Sequence, residues 1–137
     1  MKKIIFLMIW GTLLISCTDE KPLGNFLDAS TWRCIDVGAV HNDGGGLLYS
    51  YQEIYTIVFT NTTFELIMEG RYDKNRDGIY EEEEKKTTNG SYVFKYPETN
   101  LASDDGQFVK KITLESDVFY TEPDDKGKYL VFVKVRN

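Results

Sequence analysis

The chain has 137 residues, 16 basic against 22 acidic, one His, two Cys, three Pro and eleven Gly, with a formal charge of −6. That length holds one domain and not comfortably two, and the acidic balance excludes a nucleic-acid binder, which would carry a basic stripe. Charged residues at 28% beside 42% hydrophobic are globular composition rather than disorder. Nine Tyr, eight Phe and two Trp favour strands.

Met1-Lys2-Lys3 is a positive start, and the apolar run Ile4–Ile15 follows it. This run fits a signal-peptide core and falls short of the about 20 residues that a membrane-spanning helix needs. It ends in Leu14-Ile15-Ser16-Cys17. Aliphatic, tolerant, small, then Cys resembles the lipobox of bacterial lipoproteins. The resemblance implies a signal peptide over 1–16, cleaved before Cys17, with Cys17 lipidated and its new amino terminus acylated by a fatty acid such as palmitate. More than one acyl chain makes a stable anchor, so the expectation is a domain tethered to the membrane of a bacterial cell envelope. Asp19-Glu20 behind the Cys resembles the surface-export signal of lipoproteins in Bacteroides-like bacteria, which points to the outer membrane and leaves the leaflet open. With Cys17 lipidated, Cys34 has no disulfide partner, and between Trp32 and Ile35 it reads as a small buried thiol.

Residues 17–24 form a tether broken by Pro22 and Gly24, and the folded domain is expected over 25–137. Asn25 can cap one helical turn through Ser30. Strands then follow with polar turns between them. Thr31–Val37 is the first. Beyond the Gly-rich break 42–46, Tyr51–Thr60 places Tyr55, Ile57 and Phe59 on one face. A tight Asn61-Thr62 turn leads to Thr63–Tyr72, where Phe64, Leu66 and Met68 oppose Glu65, Ile67 and Glu69. Gly90–Tyr96, Phe108–Glu115, Val118–Glu122 and Lys128–Arg136 complete the series. Short polar turns favour antiparallel neighbours, about eight strands in all. The last strand is apolar on both faces, which suits one that closes a barrel. Glu81–Glu84 with Lys85 and Lys86 can bury neither face, so this arm projects into water, as a strand or as a helix with i,i+4 pairs.

The sharpest local motif is Asp73-Lys74-Asn75-Arg76-Asp77-Gly78 with Glu84 at position twelve, which fits the calcium-loop template D-x-[DN]-x-[DN]-G-x5-E. Side chains of Asp73, Asn75 and Asp77, the Ile79 carbonyl and Glu84 are the candidate ligands. The competing reading is a plain hairpin, whose usual vocabulary is Asn, Asp and Gly. Catalysis has little support. His41 is the only His and stands in a Gly-rich loop, and with Cys34 it cannot supply the three or four ligands of zinc. Gly44–Gly46 lacks the context and Lys of a phosphate loop. Asp104-Asp105 and Asp124-Asp125 are ordinary turn residues. No enzyme and no cofactor other than calcium are expected.

Ser30-Thr31-Trp32 at the first strand, the Asn89-Gly90-Ser91-Tyr92 opening and Arg136 near the end of a strand meander resemble small lipocalin-like lipoproteins of Bacteroides-like bacteria. Ser30 stands where the lipocalin motif has Gly. The resemblance implies an all-β, up-and-down, lipocalin-like barrel in which Arg136 stacks on Trp32. It also implies a small apolar or amphipathic ligand in the open end. The alternative is an accessory lipoprotein, inhibitor-like, that displays loops to a protein or glycan partner.

Overall fold

Residues 24–136 are described by a computed structural model of the chain. The leader, Cys17 and the tether up to residue 23 lie outside the described residues. Eight strands run in chain order: Thr31–His41 (β1), Leu47–Phe59 (β2), Thr63–Asp73 (β3), Glu81–Tyr92 (β4), Glu98–Ser103 (β5), Val109–Glu115 (β6), Val118–Thr121 (β7) and Val131–Lys134 (β8). Each pairs antiparallel with the next, and β8 returns to β1, so the sheet closes as an up-and-down barrel. No helix occurs among the described residues.

Alternation decides what fills the barrel. Trp32 stands opposite Ile57, Ile57 opposite Leu66 and Leu66 opposite Thr88, and all four are buried. The largest fully buried side chains are Trp32, Phe59, Phe64, Phe119 and Phe132. Phe119 stacks on Phe132 with centroids 4.7 Å apart and lies 4.9 Å from Trp32. Phe59 meets Phe119 at 6.2 Å and Tyr92 at 5.3 Å. These rings occupy the half of the barrel nearest the Asn61-Thr62 turn and leave no lumen there. Each ring removes roughly 150–250 Å² from water, which makes this plug the main apolar contribution to stability.

The segment before β1 seals that end. The expected helical turn at Asn25–Ser30 is a pair of tight turns, stopped by Ala29 at φ +57°. Asn25 caps it as expected, its Oδ1 accepting the Leu27 N–H at 3.0 Å. Asn25 Nδ2 also donates to the Asn61 carbonyl and to Tyr92 Oη, each at 2.9 Å, while Leu27 is fully buried beneath. Ser30 Oγ accepts the Trp32 indole N–H at 2.8 Å, so the position where lipocalins have Gly here satisfies the one polar atom of the buried Trp.

Several strand boundaries differ from the sequence expectation. β1 continues to His41 and β2 begins at Leu47, extending the first hairpin. β4 takes in the charged arm, so the 81–86 segment is strand and not helix, and it is exposed throughout. Val93–Tyr96 lies outside the ladder, and Glu98–Ser103 forms the unexpected β5. Thr99 explains the break, because its hydroxyl donates to the Lys95 carbonyl at 2.6 Å and accepts the Lys95 N–H at 3.1 Å. A side chain here takes the place of a ladder partner. β8 is confined to Val131–Lys134, with Phe132 buried and Val131 and Val133 exposed.

The two halves of the barrel differ in length. β1–β4 have 11 to 13 residues and β5–β8 only four to seven. β4 pairs with β5 only over Gly90–Tyr92, and β1 pairs with β8 only at Trp32 and Arg33. The first four strands therefore extend past the barrel rim as a four-stranded blade, by about 20 Å at 3.3 Å per residue. Gly90 marks the crowded point where β4 enters the barrel, since a Cβ there would collide with the Phe64 ring and the Ala102 carbonyl.

Truncating the stack tests the plug. Phe119→Ala is expected to lower unfolding free energy by about 3–5 kcal/mol, read from the denaturant midpoint at unchanged m-value. A loss below 1 kcal/mol would mean that the rings do not support one another.

Candidate functional site at the barrel mouth

Above the aromatic plug the inner face of β1–β4 is arranged in rows set by register. The lowest row is Cys34, Tyr55, Met68 and Lys86. The next is Asp36, Glu53, Gly70 and Glu84. The third begins Gly38, Tyr51 and Tyr72. Polarity thus rises from thiol and thioether, through carboxylates, to a tyrosine-rich blade.

The barrel mouth is a cup of about 300 Å³. Tyr55, Met68, Phe108 and Leu130 form its apolar part, and all but the buried Phe108 are half-buried against the core. Asp36, Glu53, Lys110, Asp124 and Lys128 supply its charged wall. Lys128 Nζ lies 2.5 Å from Asp36 Oδ2 and ties the β7–β8 loop to β1 across the rim. Hydrogen bonding to Asp36 raises the Lys128 ammonium above its usual range. Tyr55 donates its hydroxyl to Glu53 Oε2 at 2.8 Å. Burial, and then this bond to Glu53, push the Tyr55 phenol well above the ordinary value, so it stays a neutral donor.

Two larger depressions lie on the outer wall, about 370 Å³ beside Tyr120 and Tyr129 and about 520 Å³ beside Gly90. Neither continues the barrel interior. The cup does, because its floor residues pack directly on the core, and mouths of β-barrels are a usual place for ligand sites.

A second cavity of about 200 Å³ adjoins the cup along the blade and shares Glu53, Tyr55 and Met68 with it. Its base is Gly70. A Cβ at Gly70 would lie 3.3 Å from Tyr72 Oη and 3.5 Å from Glu84 Cβ, so both side chains close over the bare backbone. The ladder shifts register between Gly70 and Arg71, which turns the two charged arms beyond it. Glu83 pairs there with Lys74 at 2.8 Å, and Lys74 Nζ also sits 5.8 Å from the Tyr72 ring centre. Partial desolvation, then Glu84 and Glu53, raise the Tyr72 phenol. Tyr49 meets Tyr72 edge-on at 6.0 Å and continues the aromatic lining upward.

The calcium-template residues are only partly brought together. Asp73 is buried, and its carboxylate accepts the backbone N–H groups of Asp77 at 3.1 Å and Gly78 at 3.0 Å. Asp77 Oδ1 accepts the Ile79 N–H at 2.9 Å. Glu84 stands opposite Gly70, three residues down the strand from Asp73, or about 10 Å. Asn75 and Ile79 are exposed in the loop. Among the described residues no group of three or more His, Cys, Asp or Glu is placed to hold a metal ion. The geometry is that of a β3–β4 hairpin whose aspartates satisfy the turn backbone.

Arg136 does not stack on Trp32. Its side chain is 80% exposed and its guanidinium pairs with Asp117, beyond the end of β8, whereas Trp32 is wholly covered by Phe119 and its neighbours. A charged group at the chain end gains more from a solvated carboxylate than from losing water over a buried ring. His41 is exposed at the rim of the blade beside a register shift in β1. Cys34 is buried, as expected, with its thiol pushed up by desolvation.

The sequence reading did not single out Asp36, Glu53, Lys128 or Gly70. One signal for Gly70 was available. Glycine inside an alternating strand marks a place where another group approaches the backbone.

Comparisons with protein-family models, with curated proteins and with solved structures gave no match to this chain.

Two outcomes check this geometry. Cys34 is expected to resist a thiol reagent such as dithionitrobenzoate at pH 8 and to react fully in denaturant, because the raised pKa leaves it protonated and burial excludes the reagent. Asp73→Ala is expected to speed amide exchange at Asp77 and Gly78 by tenfold or more while the barrel amides keep their protection. Unchanged exchange would mean that the carboxylate does not hold the turn.

Proposed function

We propose that this chain is a lipid-anchored binding protein whose barrel mouth accepts a small amphipathic ligand. The observation that carries this reading is the cup of about 300 Å³, apolar at its floor and charged at its rim. That volume is at the lower end of the roughly 300–1,000 Å³ of small-molecule sites. The plug below it keeps the cup shallow, so the ligand enters by its apolar end and keeps a polar part among Asp36, Glu53 and Lys128. Binding needs no catalytic group, and none of the rim residues forms a nucleophile–base pair.

The anchor belongs to the same proposal and is supported by the leader and the lipobox-like Leu14-Ile15-Ser16-Cys17. The described chain begins beside the closed end, where Asn25 bonds Asn61 and Tyr92. A lipid on Cys17 in the outer membrane would then hold the mouth away from the bilayer, toward whatever diffuses past. This orientation suits capture of a ligand from solution better than extraction from the membrane.

A second reading, display to a protein or glycan partner, is favoured by the blade. The β4 edge is guarded by Glu81–Glu84, Lys85 and Lys86 in the manner of protected sheet edges. Beyond Asp36 the β1 edge, Val37-Gly38-Ala39-Val40, carries no charge.

Native mass spectrometry of residues 18–137, purified without refolding and with calcium present, tests both readings. A retained organic mass that disappears in Met68→Trp, a substitution that fills the cup, is the expected result. A bare polypeptide mass, together with no saturable binding of amphipathic probes, would overturn the ligand reading. A calcium adduct lost in Asp77→Ala would assign the 73–84 loop to a metal.

A further inference from the structure

The closed end of the barrel, where the described chain begins, carries an aromatic cluster that the fold leaves partly uncovered. Phe26 stands two residues beyond Gly24. Its ring meets Phe94 edge-on at 5.3 Å and Tyr96 at 6.0 Å. Phe26 and Phe94 each pack on the core and stay partly exposed. Tyr96 is 42% exposed, and Val93, at 86%, is the most exposed large hydrophobic among the described residues. All four belong to segments outside the ladder at this end, the turns before β1 and the stretch after β4.

Apolar groups are also exposed on the outer wall, at Ile35, Val37, Val131 and Val133. What singles out the closed end is the chain that leaves it. Six residues separate Cys17 from Gly24, and the seven steps between them reach at most about 25 Å. A lipid on Cys17 therefore keeps the cluster within that distance of the headgroups. The blade rim lies at the far end of strands of 11 to 13 residues, about 40 Å away at 3.3 Å per residue. A tether this short holds a second contact at an effective concentration of about millimolar, so a weak surface affinity is enough to keep it made.

The side chains suit the boundary of a bilayer. A tyrosine there keeps its ring apolar and its hydroxyl wet at headgroup level, while Phe and Val supply area for the acyl boundary. Charge at this end is mixed. Lys95, between Phe94 and Tyr96, is exposed and forms no ion pair among the described residues, and Asp28 is exposed on the other segment. Neither sign dominates, so apolar contact carries the docking and anionic lipid is not required.

We propose that the closed end, through Phe26, Val93, Phe94 and Tyr96, docks on the lipid surface that anchors the chain and stands the barrel upright with its mouth outward. This rests on the anchor reading given above and adds a contact made by the protein itself to the one made by its lipid.

The test replaces the biological lipid by a chemical one. Residues 17–137 are coupled through the Cys17 thiol to phosphatidylcholine vesicles that contain a maleimide lipid, and the buried Cys34 does not compete. Tyr96→Trp reports depth at the closed end and Val37→Trp at the blade, each against the constant emission of Trp32. With acyl-brominated phosphatidylcholine, the added emission of Tyr96→Trp is expected to fall by about half or more, in low and high salt alike. That of Val37→Trp is expected to be unchanged. Val93→Asp, at a position too exposed to disturb folding, is expected to restore the Tyr96→Trp emission. No quenching of Tyr96→Trp, equal quenching of both reporters, or quenching of Val37→Trp alone overturns the docking and leaves the anchor standing. The anchor is read separately, from a bacterium making the full chain and fed an alkyne-labelled fatty acid. The wild-type chain is expected to take up the label and Cys17→Ser is not. An unlabelled wild-type chain overturns the anchor and the docking with it.

Discussion

Trp32 and the phenylalanines around it set the terms for the rest of the molecule. A barrel of eight strands has an interior just wide enough for side chains to fill, and this chain fills half of it with rings. Trp32 on β1, Phe59 on β2, Phe119 on β7 and Phe132 on β8 bring together the first and last strands, which have only two paired positions of their own. Closure therefore depends on packing more than on the ladder. The indole N–H is satisfied by Ser30, so the Trp is buried without leaving an orphan donor.

Because the plug occupies one end, a ligand of the barrel interior is confined to the other. The long strands carry the inner face upward beyond the short ones, and the side chains on that face change from apolar to acidic to phenolic within three rows. Glycines make room along it. Tyr51 lies across Gly38, and Tyr72 and Glu84 close over Gly70. Removing side chains at those two points lets larger ones on neighbouring strands fold inward, which is how a sheet face becomes a concavity.

The fold was legible where alternation was strong. Phe64, Leu66 and Met68 against Glu65, Ile67 and Glu69 placed β3 almost to the residue, and Phe132 in an apolar last strand placed the closing contact. Legibility failed where strand identity comes from neighbours. Glu81–Lys86 has no apolar period, and it is a strand because β3 offers it a ladder. β5 was missed because Thr99, Leu101 and Ser103 face inward as mostly small, polar groups in a crowded corner. The calcium template is a pattern in one dimension, and the hairpin places Glu84, its twelfth position, down the strand opposite Gly70. The Arg136–Trp32 contact was misplaced, since the last strand ends two residues before Arg136 and Asp117 is the nearer partner. The cup at the mouth was invisible because its walls come from separate strands and a loop, and no local pattern relates residues 36, 53 and 128.

The disparity between the two seams has a consequence for how the chain reaches this state. Seven of the eight strand pairings join sequence neighbours across short connections, so they can zip in turn as the polypeptide becomes available. The eighth joins Arg33 to Val133, a hundred residues apart, through a strand of four residues. Until that last segment arrives, Trp32 has no Phe119–Phe132 stack to cover it, and β1 presents an open edge together with an uncovered indole. Synthesis delivers the amino-terminal half first. The most adhesive surface of the protein is thus exposed earliest and hidden latest, and the acidic character of the remainder keeps such half-built chains apart while they wait.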